Sequence, residues 1–434
     1  MQRHLLLCAL LFFLLLLGLA TLNRGLLALA ALLSIFLGAA LFYGPEQLRL
    51  KVTRTLSDDR VYQGTPVVIR ILITNEGEGL EEVLVEDLRP RSLDLVNGEP
   101  RVLTSLPPGG TVQLEYSVLG KRGSFTFTNV RVIAGDHLGI LRRQAMLSAP
   151  GQFTVLPNPL KLKHLAIRPL QTKGYAGPVP ARQGGSGVEF FGVREYRLGD
   201  PRNWVNWRLS ARHPRGPFTN QFEMERIADV GLILDARRVS DVRFGENALF
   251  EYAVQAAASL AEVFLSDGNR VGLLIYETIP RWTFPGYGRI QRKKILDALV
   301  RAETGESRGF TTLDYLPTRL FPPRSQIVMI SPLLLGDVST LVRLRAHGYQ
   351  ILVVSPDPVD FELKALGIFG AKVPQQHIES AARIARLERK LVLRRLRQAD
   401  IQTVDWKVHT LLGQSIHSAV GRLPHRFRPV SGET

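Results

Sequence analysis

A single cysteine, Cys8, stands among 434 residues, so no disulfide can form within the chain. The apolar stretch that a signal peptide would carry before such a cysteine follows it instead, which leaves Cys8 as lipid-facing filler. Several catalytic patterns are also missing. There is no Walker loop, no His-Glu-x-x-His motif and no cysteine nucleophile. The run Gly184-Gly185-Ser186-Gly187 is followed by Val188 where a serine nucleophile elbow needs its second glycine, and it lacks the strand-then-helix context of a phosphate loop. These absences point away from nucleotide hydrolysis and the common hydrolases, and the expectation is a protein that is not an enzyme. Acidic residues are scarce too, 39 against 55 Lys plus Arg, for a net charge of +16. Such a surplus attracts polyanions, but aromatic and basic residues are not interleaved as in a nucleic-acid groove. No nucleic-acid partner is expected, and an anionic membrane leaflet is the nearer polyanion.

Long apolar runs occur only at the beginning of the chain. Leu5 to Leu22 and Leu26 to Tyr43 each supply about 18 residues, near the length a helix needs to cross ~30 Å of hydrocarbon. Asn23, Arg24 and Gly25 form a tight turn between them, so residues 1–45 read as a transmembrane helical hairpin of a multi-pass cell-membrane protein. Arg3 before the first run, and Arg49, Lys51 and Arg54 after the second, place both termini and the soluble bulk in the cytoplasm by the positive-inside rule.

Residues 46–157 change to short alternating segments such as Val67–Ile73, Val83-Leu84-Val85 and Val112–Tyr116, separated by Asn75-Glu76-Gly77, Asn97-Gly98 and Pro107-Pro108-Gly109-Gly110. Period-two apolarity with regular turn signals predicts an antiparallel, immunoglobulin-like β-sandwich. Residues 158–228 read as a nonregular linker and signature segment, with the glycine-rich run its most flexible point. In residues 229–434, continuous apolar strands (Val230–Leu234, Val271–Ile275, Ile327–Ile330, Ile351–Val354) alternate with helices near Asn247–Leu265, Arg289–Ala302 and Val338–Ala346. That pattern predicts a doubly wound α/β domain with ligands at the carboxyl ends of its strands. A closing helix from Ser380 to Ala399 carries seven basic residues, among them Arg386 and Arg389, and reads as a solvated face, with leaflet contact as the other possibility.

The stretch from Val188 to Arg212 sets the carboxylates Glu195 and Asp200 among five arginines, with two of the four tryptophans. Arginine forks pair bidentately with carboxylates, so this composition reads as a structural or docking network first and a catalytic site second. The stretch resembles the signature of the bacterial and archaeal family of the domain of unknown function numbered fifty-eight, on Gly192, Arg194, Glu195, Tyr196, Gly199, Asp200, Arg202, Trp207 and Arg212. Lys121-Arg122-Gly123 and Asp136-His137-Leu138-Gly139 extend the resemblance into the sandwich, and the two apolar runs and the α/β region extend it to nearly the whole chain. The resemblance implies an α/β part similar to a von Willebrand factor A domain and association with MoxR-type AAA+ ATPases, and it names no activity.

Domains of that kind hold Mg²⁺ through Asp-x-Ser-x-Ser plus a threonine and a later aspartate, because a hard cation wants an oxygen octahedron. Here the motif reads Asp235-Ala236-Arg237-Arg238-Val239; Thr311 matches the threonine, and Ser331-Pro332 stands where the aspartate belongs. Asp235, Thr311 and Ser331 therefore form a degraded Mg²⁺ set, a cation beside Arg237 would be repelled, and no cofactor is expected. The plainer reading is an Asp235–Arg237 contact or a salt bridge to a partner. Arg237, Arg238 and Thr312 are assigned to a positive partner-binding face. The sequence thus reads as a membrane-tethered adaptor that binds protein partners, a MoxR-type ATPase first among them. The rival is a hydrolase using the Glu195/Asp200 region.

Overall fold

A computed structural model describes residues 2–42, 48–135, 142–162, 179–214, 216–226, 228–245, 247–305, 313, 316, 321–323, 325–369 and 374–420. The chain divides into two compact units, Met1–Leu156 and Pro157–Thr434. Thr311, Thr312 and the Asp136–Gly139 landmark lie outside the described residues.

The first unit begins with two helices, α1 (Gln2–Ala20) and α2 (Arg24–Phe42). Leu22 takes φ 49° in the turn, and Asn23 Oδ1 accepts from the Gly25 amide at 2.9 Å, starting α2. Among the described residues no helix is long and apolar enough to cross a membrane. Both helices are apolar on all sides, and Leu6, Phe12, Leu32 and Ile35 are exposed.

The rest of this unit is a β-rich, immunoglobulin-like arrangement of two sheets. One holds β1 (Leu50–Leu56), β3 (Val67–Asn75), β7 (Thr111–Gly120) and β5 (Leu93–Gly98) in that spatial order. The other holds β2 (Arg60–Tyr62), β9 (Arg142–Leu156), β8 (Gly123–Gly135), β4 (Leu80–Asp87) and β6 (Arg101–Leu106). Pairing is antiparallel throughout except between β2 and β9. The period-two pattern decides which side faces in: Val67, Ile69, Ile71 and Ile73 of β3 are buried, while Arg70 between them pairs with Glu115 in solvent. The core also buries one charged pair. Arg54 bonds Asp87 and the Ala149 carbonyl, lies 4.8 Å over the Phe127 ring, and Tyr116 Oη donates to Asp87 Oδ2 at 2.5 Å. Burial pushes the Asp87 carboxyl up, against the opposing pull of Tyr116 and Arg54. Arg54 is therefore a core residue of the sandwich and not a flank of the second apolar helix.

The second unit opens with a ribbon, β10 (Val179–Glu195) paired antiparallel with β11 (Phe218–Arg226), and a single helical turn, α3 (Trp207–Ser210). Register shifts after Ala181 and Gly185 let the glycine-rich run sit within a strand where the sequence predicted a linker. Then come β12 (Asp229–Asp235), a small hairpin of β13 (Arg243–Phe244) and β14 (Asn247–Ala248), α4 (Leu249–Ser266), β15 (Arg270–Tyr276), β16 (Arg281–Gly286) and α5 (Gly288–Val300). After these follow β17 (Gln326–Ile330), α6 (Asp337–Ala346), β18 (Gln350–Pro356), α7 (Pro358–Phe369), α8 (Gln375–Gln398), β19 (Gln402–Trp406) and α9 (Leu412–Val420). The result is a mixed α/β sheet in the order β16-β15-β12-β17-β18-β19, parallel except for the edge strand β16. Every residue of β12 and β17 is buried, as expected of strands covered on both faces. Gly231 in β12 has a packing reason, since a Cβ there would stand 2.6 Å from the Phe321 ring.

The sandwich core runs from Val61 to Val155 and takes in no residue of α1 or α2. A chain starting at Gly44 should therefore keep a cooperative melt at the full-length temperature, followed by circular dichroism; loss of that transition would show that the helix pair is part of the fold.

Candidate functional site

The sheet order brings β12 and β17 side by side although their crossovers leave in opposite directions, toward β15 on one side and β18 on the other. In open α/β sheets the crevice beyond the carboxyl ends of two such strands is where ligands bind. β12 delivers Asp235 to that crevice and β17 delivers Ser331; both are fully buried. Ser331 Oγ donates to Asp235 Oδ2 at 2.6 Å, so two of the three metal-set residues read from the sequence do meet.

The crevice is filled by Arg237. Its Nε and Nη2 donate to the two oxygens of Asp235 at 2.8 and 2.7 Å, and its Nη1 and Nη2 donate to the two oxygens of Asp337 at 2.9 and 2.8 Å. Arg237 is only 4% exposed, so it is interior and offers no surface to a partner, contrary to the sequence-based assignment; Arg238 beside it is exposed. Burial pushes the Arg237 guanidinium down, but its hydrogen bonds and the charges of Asp235 and Asp337 more than reverse this and hold it above its ordinary range. Two carboxylates against one cation leave a surplus negative charge. The Arg237 amide helps offset it by donating to Asp235 Oδ1 at 3.1 Å, and the Leu334 amide by donating to Asp337 Oδ2 at 2.8 Å. Asp337 also opens α6, where the helix dipole favours a negative charge.

Asp337 went unrecognised in the sequence because the later aspartate was sought directly after Ile330, while the loop carries it to the start of the next helix. Among the described residues no group of three or more His, Cys, Asp or Glu could hold a metal. The carboxylate and hydroxyl oxygens that a Mg²⁺ ion would require are present at Asp235, Ser331 and Asp337, but all four carboxylate oxygens accept from Arg237 and Ser331 Oγ accepts the Leu333 amide.

A second arginine closes the neighbouring part of the crest. Arg389 of α8 is 9% exposed in its side chain; it bonds the Ser355 carbonyl at 2.8 Å, Ser355 Oγ at 3.1 Å, the Pro332 carbonyl at 3.3 Å and Asp405 at 2.6 Å. The basic run is thus not solvated along its whole length: α8 buries Ala382, Val392, Leu393 and Leu396 and inserts one of its arginines into the sheet end. Between the two arginines, Leu333 adopts φ 62°, a left-handed conformation costing about 1–3 kcal/mol for a residue other than glycine. Ser331 Oγ accepts the Leu333 amide at 3.0 Å and keeps it there.

The signature segment forms its own smaller network. Arg194 Nη1 and Nη2 grip the two oxygens of Asp200 at 2.8 and 2.6 Å, and the Arg197 amide donates to Asp200 Oδ2 at 2.9 Å. Gly199 takes φ 104° in the turn that closes from Arg197 O to Asp200 N, a conformation other residues resist. Gly192 sits at a register shift of the ribbon, and Tyr196 Oη reaches the Asp200 carbonyl at 3.4 Å. Glu195, Arg202, Trp207 and Arg212 are exposed, Trp207 to 70%. Both Asp200 oxygens are engaged, so the carboxylate most central to a hydrolase reading is occupied by Arg194. That guanidinium, then the Arg197 amide, holds Asp200 below the usual carboxylate range.

Two outcomes are expected. Arg237→Ser removes the cation that bridges two buried carboxylates and should cost about 3–5 kcal/mol. Added Mg²⁺ should recover part of that melting temperature in the variant and none in the parent, by thermal denaturation with and without the ion; a variant as stable as the parent would show that the network is not holding the crest. For Asp200 the depressed pKa gives stability that is present above ~pH 4, the unfolded value, and is lost as pH falls through the lower folded value. Asp200→Asn should therefore melt lower than the parent at neutral pH and converge with it in acid, read from melting temperature against pH.

Residues 192–396 match the family described as "Protein of unknown function DUF58". A stretch of 196 residues is 31% identical to "Uncharacterized protein YeaD" of Bacillus subtilis (strain 168), covering 44% of this chain and 46% of that one; the chain thus spans about half the length of this curated relative. Among solved structures, the FixG-related protein from Vibrio parahaemolyticus is similar over 24% of this chain and 95% of its own at 10% identity and a TM-score of 0.17. The cupredoxin domain of amoB from Nitrosocaldus yellowstonii is similar over 29% and 99%, at 12% identity and a TM-score of 0.19. β11, the last residues of β10, the arginine-filled crest and most of α8 therefore lie in the DUF58 family domain of residues 192–396.

Proposed function

We propose that this protein is a membrane-tethered, non-enzymatic platform for protein partners, with a von Willebrand factor A-like second unit whose metal position is taken over by Arg237. The observation that carries this reading is the guanidinium bonded to all four carboxylate oxygens of Asp235 and Asp337. Chemistry at a switch-point crevice needs a group free to polarise or attack a substrate, and here the carboxylate oxygens of Asp235 and Asp337 all accept from Arg237.

The tether we assign is the helix pair, on the ground of its surface: it carries large apolar side chains outward, including Phe12 at 67% and Ile35 at 68% exposure. Water penalises such a surface and hydrocarbon does not. Arg49 and Lys51 after α2 support a cytoplasmic second half.

The partner proposed, from the family resemblance, is a MoxR-type AAA+ ATPase, which this chain would recruit without hydrolysing nucleotide itself. Its docking face would be the rim of the filled crest, where Arg238 is exposed and the loop after β17 shows Leu334 and Leu335 at 44% and 49%. Exposed aliphatic residues beside a cation suit an acidic, partly apolar surface.

Full-length protein purified from detergent-solubilised membranes should bring the ATPase with it. Arg238→Glu should weaken that recovery several-fold, with melting temperature unchanged because Arg238 lies outside the buried network. Full recovery with the reversed charge would move the docking face elsewhere, and release of the chain from membranes by alkaline carbonate would remove the tether.

A further inference from the structure

The outer strand β16, Tyr287 that follows it and the first turns of α5 expose four large apolar side chains that the domain core does not use: Trp282 at 50%, Phe284 at 66%, Tyr287 at 60% and Ile290 at 74%. Trp282 and Phe284 are two residues apart on a strand and so share one side. On α5, Ile290, Lys293 and Lys294 stand at i, i+3 and i+4, all exposed, while Gln291, Ile295, Leu296 and Leu299 supply the buried side. From Arg281 to Leu296 the chain has no acidic residue.

An edge strand can recruit an extended peptide through its free main chain, but Pro285 removes a donor from β16 and blunts that mode. What remains is a side-chain surface. Tryptophan and tyrosine favour the headgroup level of a bilayer, phenylalanine and isoleucine reach the acyl boundary, and lysines pair with lipid phosphates. We propose that β16 and the first turns of α5 form a docking surface for an anionic lipid bilayer, holding the α/β unit against the leaflet. The proposal rests on the tethered reading above only in that the helix pair keeps a bilayer within reach.

Trp282 reports on its own surroundings. The full-length chain is reconstituted in nanodiscs of brominated phosphatidylcholine, alone or with brominated phosphatidylglycerol, and the Trp282 emission is taken as the difference between the parent and Trp282→Phe. Docking predicts at least a two-fold loss of that emission in the phosphatidylglycerol discs, reversed by high salt and abolished in Lys293→Glu/Lys294→Glu, whose melting temperature should equal the parent's. Equal emission in both kinds of disc overturns the proposal, as does emission that responds only to an added protein. If the chain does not enter discs at all, the tether fails; brominated phosphatidylglycerol vesicles added to the free chain then decide docking alone, by the same loss or its absence.

Discussion

Burying a guanidinium between two carboxylates removes all three charges from water, and this is worthwhile only when nearly every donor and acceptor is met in good geometry. At the crest of the α/β sheet that condition organises what surrounds it. Asp235 must end β12, Ser331 must follow β17 so that its hydroxyl reaches Asp235, and Asp337 must open α6, because its carboxylate serves both Arg237 and the Leu334 amide. The left-handed Leu333 lies between these fixed points. The strained loop is thus a consequence of the ion network, and the position of α6 follows from the loop.

The sandwich solves a similar problem differently. Arg54 and Asp87 are both fully buried, but the pair is neutral overall and leans on a tyrosine hydroxyl, a main-chain carbonyl and an aromatic face. Burial dominates at Asp87 and raises its pKa, whereas at Arg237 two flanking carboxylates prevail over burial. The difference is the number of opposite charges within reach.

Much of this architecture was legible in the sequence wherever burial sets a simple period. β12, β15, β17 and β18 read as continuous apolar strands because both faces are covered, and β3 read as an alternating strand because one face is. The strands β16 and β19 escaped notice: one carries exposed aromatics and a proline, and the other places Asp405 between two buried residues. The β10 side of the ribbon was hidden by glycines that pairing and bulges tolerate, a tertiary effect that local propensity does not contain. At the site, the contact between Asp235 and Arg237 could be suspected from their spacing, and their meeting with Ser331 from the family pattern. The depth of Arg237 could not, because it depends on Asp337, 100 residues further along the chain.

A diffusible ion gives a protein two states, loaded and empty, with an exchange rate between them and a sensitivity to chelators and to the ionic composition of the compartment. A cation tied to the backbone two residues after Asp235 has no such empty state while the domain is folded. Its local concentration is set by the covalent chain and its release requires local unfolding. Whatever meets the crest of this sheet therefore meets a surface whose charge does not depend on metal supply.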